Sequence, residues 1–246
     1  MTMIFFTYGL LIGSFLNVCI YRIPSGISII KPPSSCGGCG HRLKFFRDML
    51  PLLNYIFNRG RCRYCGAPYS AQYPFVELLN AILYVLLYLK YGFTIVTLLY
   101  CLIVSLLIVV TFIDLKYKII PDSLNIVGAI LGILFIIFDK MFFNRLLGST
   151  IGLILFLGIA LITNAMGGGD IKLMAVLGLV FGVKGILFIT LFSFVIGAII
   201  SLILIGLKIK GRKDEIPFGP FISLSALIYM FYGIEIINWY FRIILF

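Results

Sequence analysis

Residues 93–113, FTIVTLLYCLIVSLLIVVTFI, contain no charged residue, no proline and no glycine. A run of this length and apolarity matches the thickness of a bilayer's hydrocarbon core. It does not stand alone. Apolar runs recur at about 3–21, 75–89, 123–138, 146–165, 173–182, 186–207 and 218–236, the second and sixth of the full set being short. Of the 246 residues, 62% are hydrophobic and only 12% charged, which leaves too little polar surface for a soluble domain of this size. The expected fold is an all-α polytopic membrane protein with about eight transmembrane helices. The first run lacks a basic flank and a clear cleavage site before NVCIYRIP, so it is expected to remain as a membrane helix.

Basic residues set the expected orientation. With the N-terminus outside, one set of loops holds fifteen of the twenty lysines and arginines. These run from Arg22 through the 24–74 segment to Lys116, Lys118, Lys172 and the 208–213 cluster. The other set holds five: Lys90, Lys140, Arg145, Lys184 and Arg242. Cytoplasmic loops carry the excess of positive charge, so the first set is assigned to the cytoplasm. The net charge of +11 is then a topology signal. Nucleic-acid binding would need a soluble basic face with interleaved aromatics, and the sequence offers none. The aromatic residues are scattered over many runs and are expected to face lipid and interface.

The long hydrophilic segment, about 24–74, carries CGGC at 36–39 and CRYC at 62–65. Two C-x-x-C turns, each presenting two thiolates on one side, suit a tetrahedral zinc site made by Cys36, Cys39, Cys62 and Cys65. Gly37, Gly38, Gly40 and Gly66 permit tight turns. A pair of disulfides is the rival, disfavoured in a reducing cytoplasmic loop. His41 is an alternative fourth ligand. A loop this small has little core of its own, so metal would supply much of its folding energy. Cys19 and Cys101 lie in apolar runs and read as buried small hydrophobes.

Nine acidic residues are few enough to weigh singly. Asp48, Asp214 and Glu215 lie in polar loops. Asp139 follows a run beside Lys140, and Glu235 lies within reach of Arg242. Glu77 reads as a charge at a helix N-terminus, and Asp122, before Ser123 and a new apolar run, as an N-cap. Asp114 ends a run, where the helix dipole disfavours it; pairing with Lys118 is its structural alternative. Asp170 follows Gly167, Gly168 and Gly169 at the same expected depth. Ionisable residues at a membrane span are functional candidates by default. Two carboxylates in a partly dry site share a proton, one charged and one protonated. The charged member can activate water while the other hydrogen-bonds a scissile carbonyl. Lys172 tunes Asp170 or flanks the span; Asn17 is placed to bond within the bundle, with Arg22 an interfacial anchor. PFGP, 217–220, either lines the site or starts a helix with proline in its first turn.

These motifs occur in a specific order: GSFLNVCIYRIP (13–24), the two C-x-x-C pairs, RGRCRYCGAPYSAQYPFVELL (59–79), DLKYKIIPD (114–122), MGGGDIKLMAVLG (166–178) and IPFGPFISLSALI (216–228). In that order the chain resembles the type IV prepilin peptidases, membrane aspartyl proteases of the GxGD class. The resemblance implies Asp114 and Asp170 as the catalytic pair. It also implies cleavage of the leader from type IV prepilins and pseudopilins at the cytoplasmic face of the plasma membrane. N-methylation of the new terminus with S-adenosyl-L-methionine would follow in the zinc-bearing region. Residues 1–74 would form that N-terminal helix and zinc-binding part, and 75–246 the transmembrane peptidase. Two departures fall in the methyltransferase region: Met49 and Leu50 stand before Pro51 where Asn-Ile is expected, and Gln72 stands where an arginine commonly precedes Tyr-Pro. The other readings are a peptidase without methyltransferase activity, an ion- or proton-coupled transporter using the same aspartates, and an anchor presenting a zinc ribbon. Internal repeats of the kind transporters use are not evident.

Overall fold

Backbone polar groups in lipid must be satisfied within their own segment, so apolar runs of this length fold as helices. The computed structural model describes residues 1–43, 51–139, 141–163, 166–211 and 214–244. Its helices are α1 (Thr2–Arg22), α2 (Leu53–Phe57), α3 (Gln72–Tyr91), α4 (Ile95–Tyr117), α5 (Asp122–Asp139), α6 (Phe142–Thr163), α7 (Gly168–Gly206) and α8 (Gly219–Ile244). Among the described residues there is no strand, only two isolated bridges. All but α2 are long and apolar enough to cross a membrane, giving seven candidate spans. The protein is therefore a multi-pass membrane protein. It divides into two units, 1–109 and 110–246.

In the first unit α1 packs against α3 through glycines. A Cβ on Gly9 would lie 2.5 Å from Ala81 Cα, and one on Gly13 would lie 2.6 Å from Glu77 Cα. Small residues four apart let two backbones approach in lipid. Polar groups then bridge the helices. Asn80 Nδ2 donates to Gly9 O at 2.8 Å, Ser105 Oγ donates to Asn80 Oδ1 at 3.0 Å, and the Tyr84 and Ser105 hydroxyls are 2.8 Å apart. Asn17 is bonded in the bundle as expected, its Nδ2 donating to Tyr73 O at 3.1 Å.

Among the described residues the eight expected runs are all helical, and two of them, 173–182 and 186–207, are the two arms of the single element α7. The join is a sharp break. Gly182 has φ 68° and ψ −169°, a conformation that favours glycine. A single Cβ on Gly152 of α6 would meet Met174 O at 2.7 Å and Ile186 Cγ1 at 2.9 Å. In a straight helix those two residues would be about 18 Å apart along the axis. α7 therefore doubles back at Gly182, and both arms run along α6. The first arm, 168–181, is about 21 Å long at the usual rise, less than the hydrocarbon thickness of about 30 Å.

Gly148 and Gly178 bring α6 and α7 into backbone contact, and Asn144 fills the corner at Gly182. Arg145, 6% exposed, closes that end. Its guanidinium donates to the carbonyls of Leu179 and Val180 and pairs with Asp139. It satisfies carbonyls at the end of the first arm, where a cation suits the helix dipole. Lys140, expected beside Asp139, lies outside the described residues.

The aromatics do not all face lipid. Phe135 and Phe156 are fully buried, and the rings of Phe194 and Phe218 lie tilted against Phe156 and one another with centroids 5.1–6.1 Å apart.

Candidate active site and metal centre

The two cysteine turns are copies of one another. Cys36 N–H donates to His41 O at 2.9 Å and Cys62 N–H to Ala67 O at 2.8 Å; Gly40 and Gly66 N–H donate back to Cys36 O and Cys62 O. Bridges pair Ser35 with Arg42 and Arg61 with Pro68, at the same offsets from each first cysteine. Gly40 and Gly66 have φ of 68° and 73°, which explains a glycine after each second cysteine. The four sulfurs of Cys36, Cys39, Cys62 and Cys65 all lie within 4.8 Å of one another.

Local hydrogen bonds favour thiolate at two of the four sulfurs, while burial and the neighbouring sulfurs push the Cys65 thiol up to about 12. The Tyr69 hydroxyl, then the N–H groups of Tyr64 and Cys65, hold the Cys62 thiol down to about 6. The N–H groups of Cys39 and Gly38 pull the Cys36 thiol down. Four convergent thiolates on two tight turns fit a metal ion of zinc's preference and leave no open coordination position. His41 is not in the cluster; its ring lies tilted against Tyr64 with centroids 3.7 Å apart. Cys19 and Cys101 are free and buried, as expected.

Asp114 sits in the last turn of α4, 5% exposed. Gly219, the first residue of α8, donates its N–H to Asp114 Oδ2 at 2.8 Å. That bond offsets the unfavourable position, because a helix N-terminus offers unpaired N–H groups to an anion. A Cβ on Gly219 would come within 2.7 Å of the same oxygen, so any larger residue would displace the carboxylate. The two expectations for PFGP hold together: Pro220 lies in the first turn of α8 and Gly219 reaches the carboxylate. Lys118 does not pair with Asp114. Its Nζ lies 3.1 Å from Glu215.

Asp170 lies in the first turn of α7, half-buried. The Asp114 carboxylate is near enough to act on it electrostatically. Its Oδ1 is buried without a hydrogen-bond partner among the described residues. The glycines before it permit close packing: a Cβ on Gly169 would lie 2.8 Å from Ile120. Lys172 turns away to Asp122, 2.7 Å off, so Asp122 is ion-paired at the start of α5 as well as suited to its dipole.

Glu77 corrects the expectation of a helix-terminal charge. It lies beyond the first turn of α3, is 6% exposed, and its Oε2 accepts the N–H of Leu52 at 2.7 Å. The Ser14 hydroxyl also reaches it. It thus ties the 51–52 turn to the membrane helices, which local sequence position did not reveal. Sequence reasoning also missed Gly219 as a specific contact and Arg145 as a helix-closing group. Flanking prolines were the only signal for the first. Asp48, Met49 and Leu50 lie outside the described residues, as do Lys44, Arg47, Arg212 and Lys213.

Fold and sites together define a multi-pass membrane protein with paired carboxylates at helix ends and a separate four-cysteine centre. Residues 7–91 match the bacterial peptidase A24 N-terminal domain, and residues 101–202 match the type IV leader peptidase family. Similar proteins include the prepilin leader peptidase/N-methyltransferase of Legionella pneumophila, 35% identical over 95% of this chain and 92% of that protein. That of Bacillus subtilis is 33% identical over the whole of both. That of Myxococcus xanthus is 35% identical over 85% of this chain and 67% of its own length. No solved structure matches the chain. The chain belongs to the type IV leader peptidase family. Membership sets aside the transporter and anchor readings.

Proposed function

We propose that this protein cleaves the leader peptide of type IV prepilins or pseudopilins at the cytoplasmic face of the plasma membrane, with Asp114 and Asp170 as the catalytic pair, and then N-methylates the new terminus. The observation that carries the reading is the meeting of two carboxylates from separate helices, one of them fixed by Gly219 N–H. The relatives' names supply the substrate class.

The two acids hold one proton between them. The charged one takes a proton from water as the water oxygen attacks the scissile carbonyl carbon, and the protonated one hydrogen-bonds the carbonyl oxygen. Collapse of the tetrahedral adduct breaks the C–N bond, and the proton taken from water passes to the leaving amine. Water is consumed and the acids return to their starting state. A substrate anchored by its own membrane helix would meet carboxylates at helix ends by lateral diffusion. The positive-inside assignment puts those ends in the cytoplasm.

Residues 1–74 are assigned to methylation and 75–246 to cleavage. Zinc on the four cysteines would be structural, because four thiolates close its shell. S-adenosyl-L-methionine would supply the methyl group. The described residues form no strand-to-helix glycine cradle of the kind that binds nucleotides, so no step of methyl transfer is assigned to a residue. The test is purified protein in lipid nanodiscs with a synthetic prepilin, read by mass spectrometry with and without S-adenosyl-L-methionine. Cleavage should need no methyl donor, and the cleaved product should gain one methyl group when it is present. An uncut substrate would refute the reading.

A further inference from the structure

Asn125 lies on α5, one turn beyond Asp122, and is 6% exposed. Neither its Nδ2 nor its Oδ1 has a hydrogen-bond partner among the described residues. A buried amide left unpaired is costly, so a carboxamide with both ends unmet calls for a ligand that offers a donor and an acceptor together.

Its position relates it to the carboxylates. Asp122 is held by Lys172 at 2.7 Å, and further along the same two helices a Cβ on Gly132 would lie 2.7 Å from Leu179. α5 and the first arm of α7 therefore run side by side in the same direction. Asn125 precedes Gly132 by two turns, as Lys172 precedes Leu179. That sets Asn125 level with Lys172 and within about one turn of Asp170. Asn125, Gly128, Gly132 and Phe135 form the buried stripe of α5, so the carboxamide belongs to the interior and not to lipid. Two other buried groups without partners among the described residues lie near this level. One is Asp170 Oδ1; the other is Ser223 Oγ, one turn along α8 from Gly219.

We propose that Asn125 is a substrate-binding residue: its carboxamide accepts from the N–H and donates to the C=O of one extended residue of the chain being cut, a few residues from the scissile bond. The inference rests on the peptidase reading of the same site. An uncharged group with one acceptor and one donor edge matches a single extended residue, whose own N–H and C=O point to the same side of the strand. An extended strand advances about 3.3 Å per residue, so a group one helical turn from Asp170 reaches residues flanking the cut.

The test is a cycle between Asn125→Leu and substrates in which single backbone amides beside the scissile bond are replaced by esters. In the unaltered protein one ester position should lower kcat/KM about tenfold, the value of one to two hydrogen bonds. Asn125→Leu should show that loss already with the all-amide substrate, mainly as a raised KM, and should be indifferent to the ester at that position. Its thermal midpoint should not fall, because an unpaired buried amide is removed. Asn125→Ala, read by the same cycle, serves if the leucine variant does not fold. Losses that multiply at every position, or variants that cleave like the unaltered protein, would overturn the proposal and indicate a buried water as the partner. Failure of the unaltered protein to cut any substrate would instead refute the peptidase reading.

Discussion

The four cysteines and the two aspartates are assembled in opposite ways. Each cysteine pair is held by a turn whose hydrogen bonds span nine residues or fewer, repeated at the same offsets around Cys36 and Cys62. Asp114 and Asp170 come from different helices, and the group that fixes Asp114 is 105 positions away at Gly219. A centre built from local turns has little core and depends on what it binds. A centre built from packed helices depends on small residues that let backbones approach.

The sharpest way to break the comparison is to remove a thiol. Cys62→Ser should abolish stoichiometric zinc by elemental analysis and open residues 34–43 and 60–69 to proteolysis, because structural zinc contributes on the order of 10 kcal/mol of folding energy in such sites. Cleavage should persist if the two centres are independent. Asp114→Asn or Asp170→Asn should do the reverse, lowering cleavage by roughly 10²–10⁴-fold, the usual worth of general acid–base groups. Zinc content and the thermal midpoint should be kept, and methylation of a pre-cleaved peptide should continue.

Gly219→Ala tests the long-range contact. The added methyl would crowd Asp114 Oδ2 at 2.7 Å, and displacement of a reacting group costs up to about 10²-fold in rate. Kinetics on a synthetic prepilin would measure it. The smallest effect is expected from Arg145→Leu at the far end of α6 and α7. Loss of the bonds to Leu179 and Val180 should lower stability by about 1–3 kcal/mol, seen as a reduced thermal midpoint, with zinc content unchanged.

The difference between the centres also decides what could be read from the sequence. Gly40 and Gly66, one residue after each second cysteine, announced both turns. Apolar runs marked most membrane helices to within about five residues, but α8 continues to Ile244, eight residues past the expected end of its run. Glu77 was legible as an acid near a helix start but not as the acceptor for Leu52, because that bond depends on how the loop lies on α3. Lys118 looked like a partner for Asp114 by spacing, yet its long flexible side chain found Glu215.

By itself the sequence determined that the chain enters lipid as helices, that four thiols stand on paired turns, and that two acids sit at span ends. Those features follow from hydropathy, helical rise and short-range hydrogen bonds, all local. Only the tertiary structure decided that α7 reverses at Gly182, that Gly219 meets Asp114, and that Arg145 closes the first arm. Each of these depends on which helix faces touch, and in lipid that is settled by close packing of small residues rather than by apolarity, which every helix here shares.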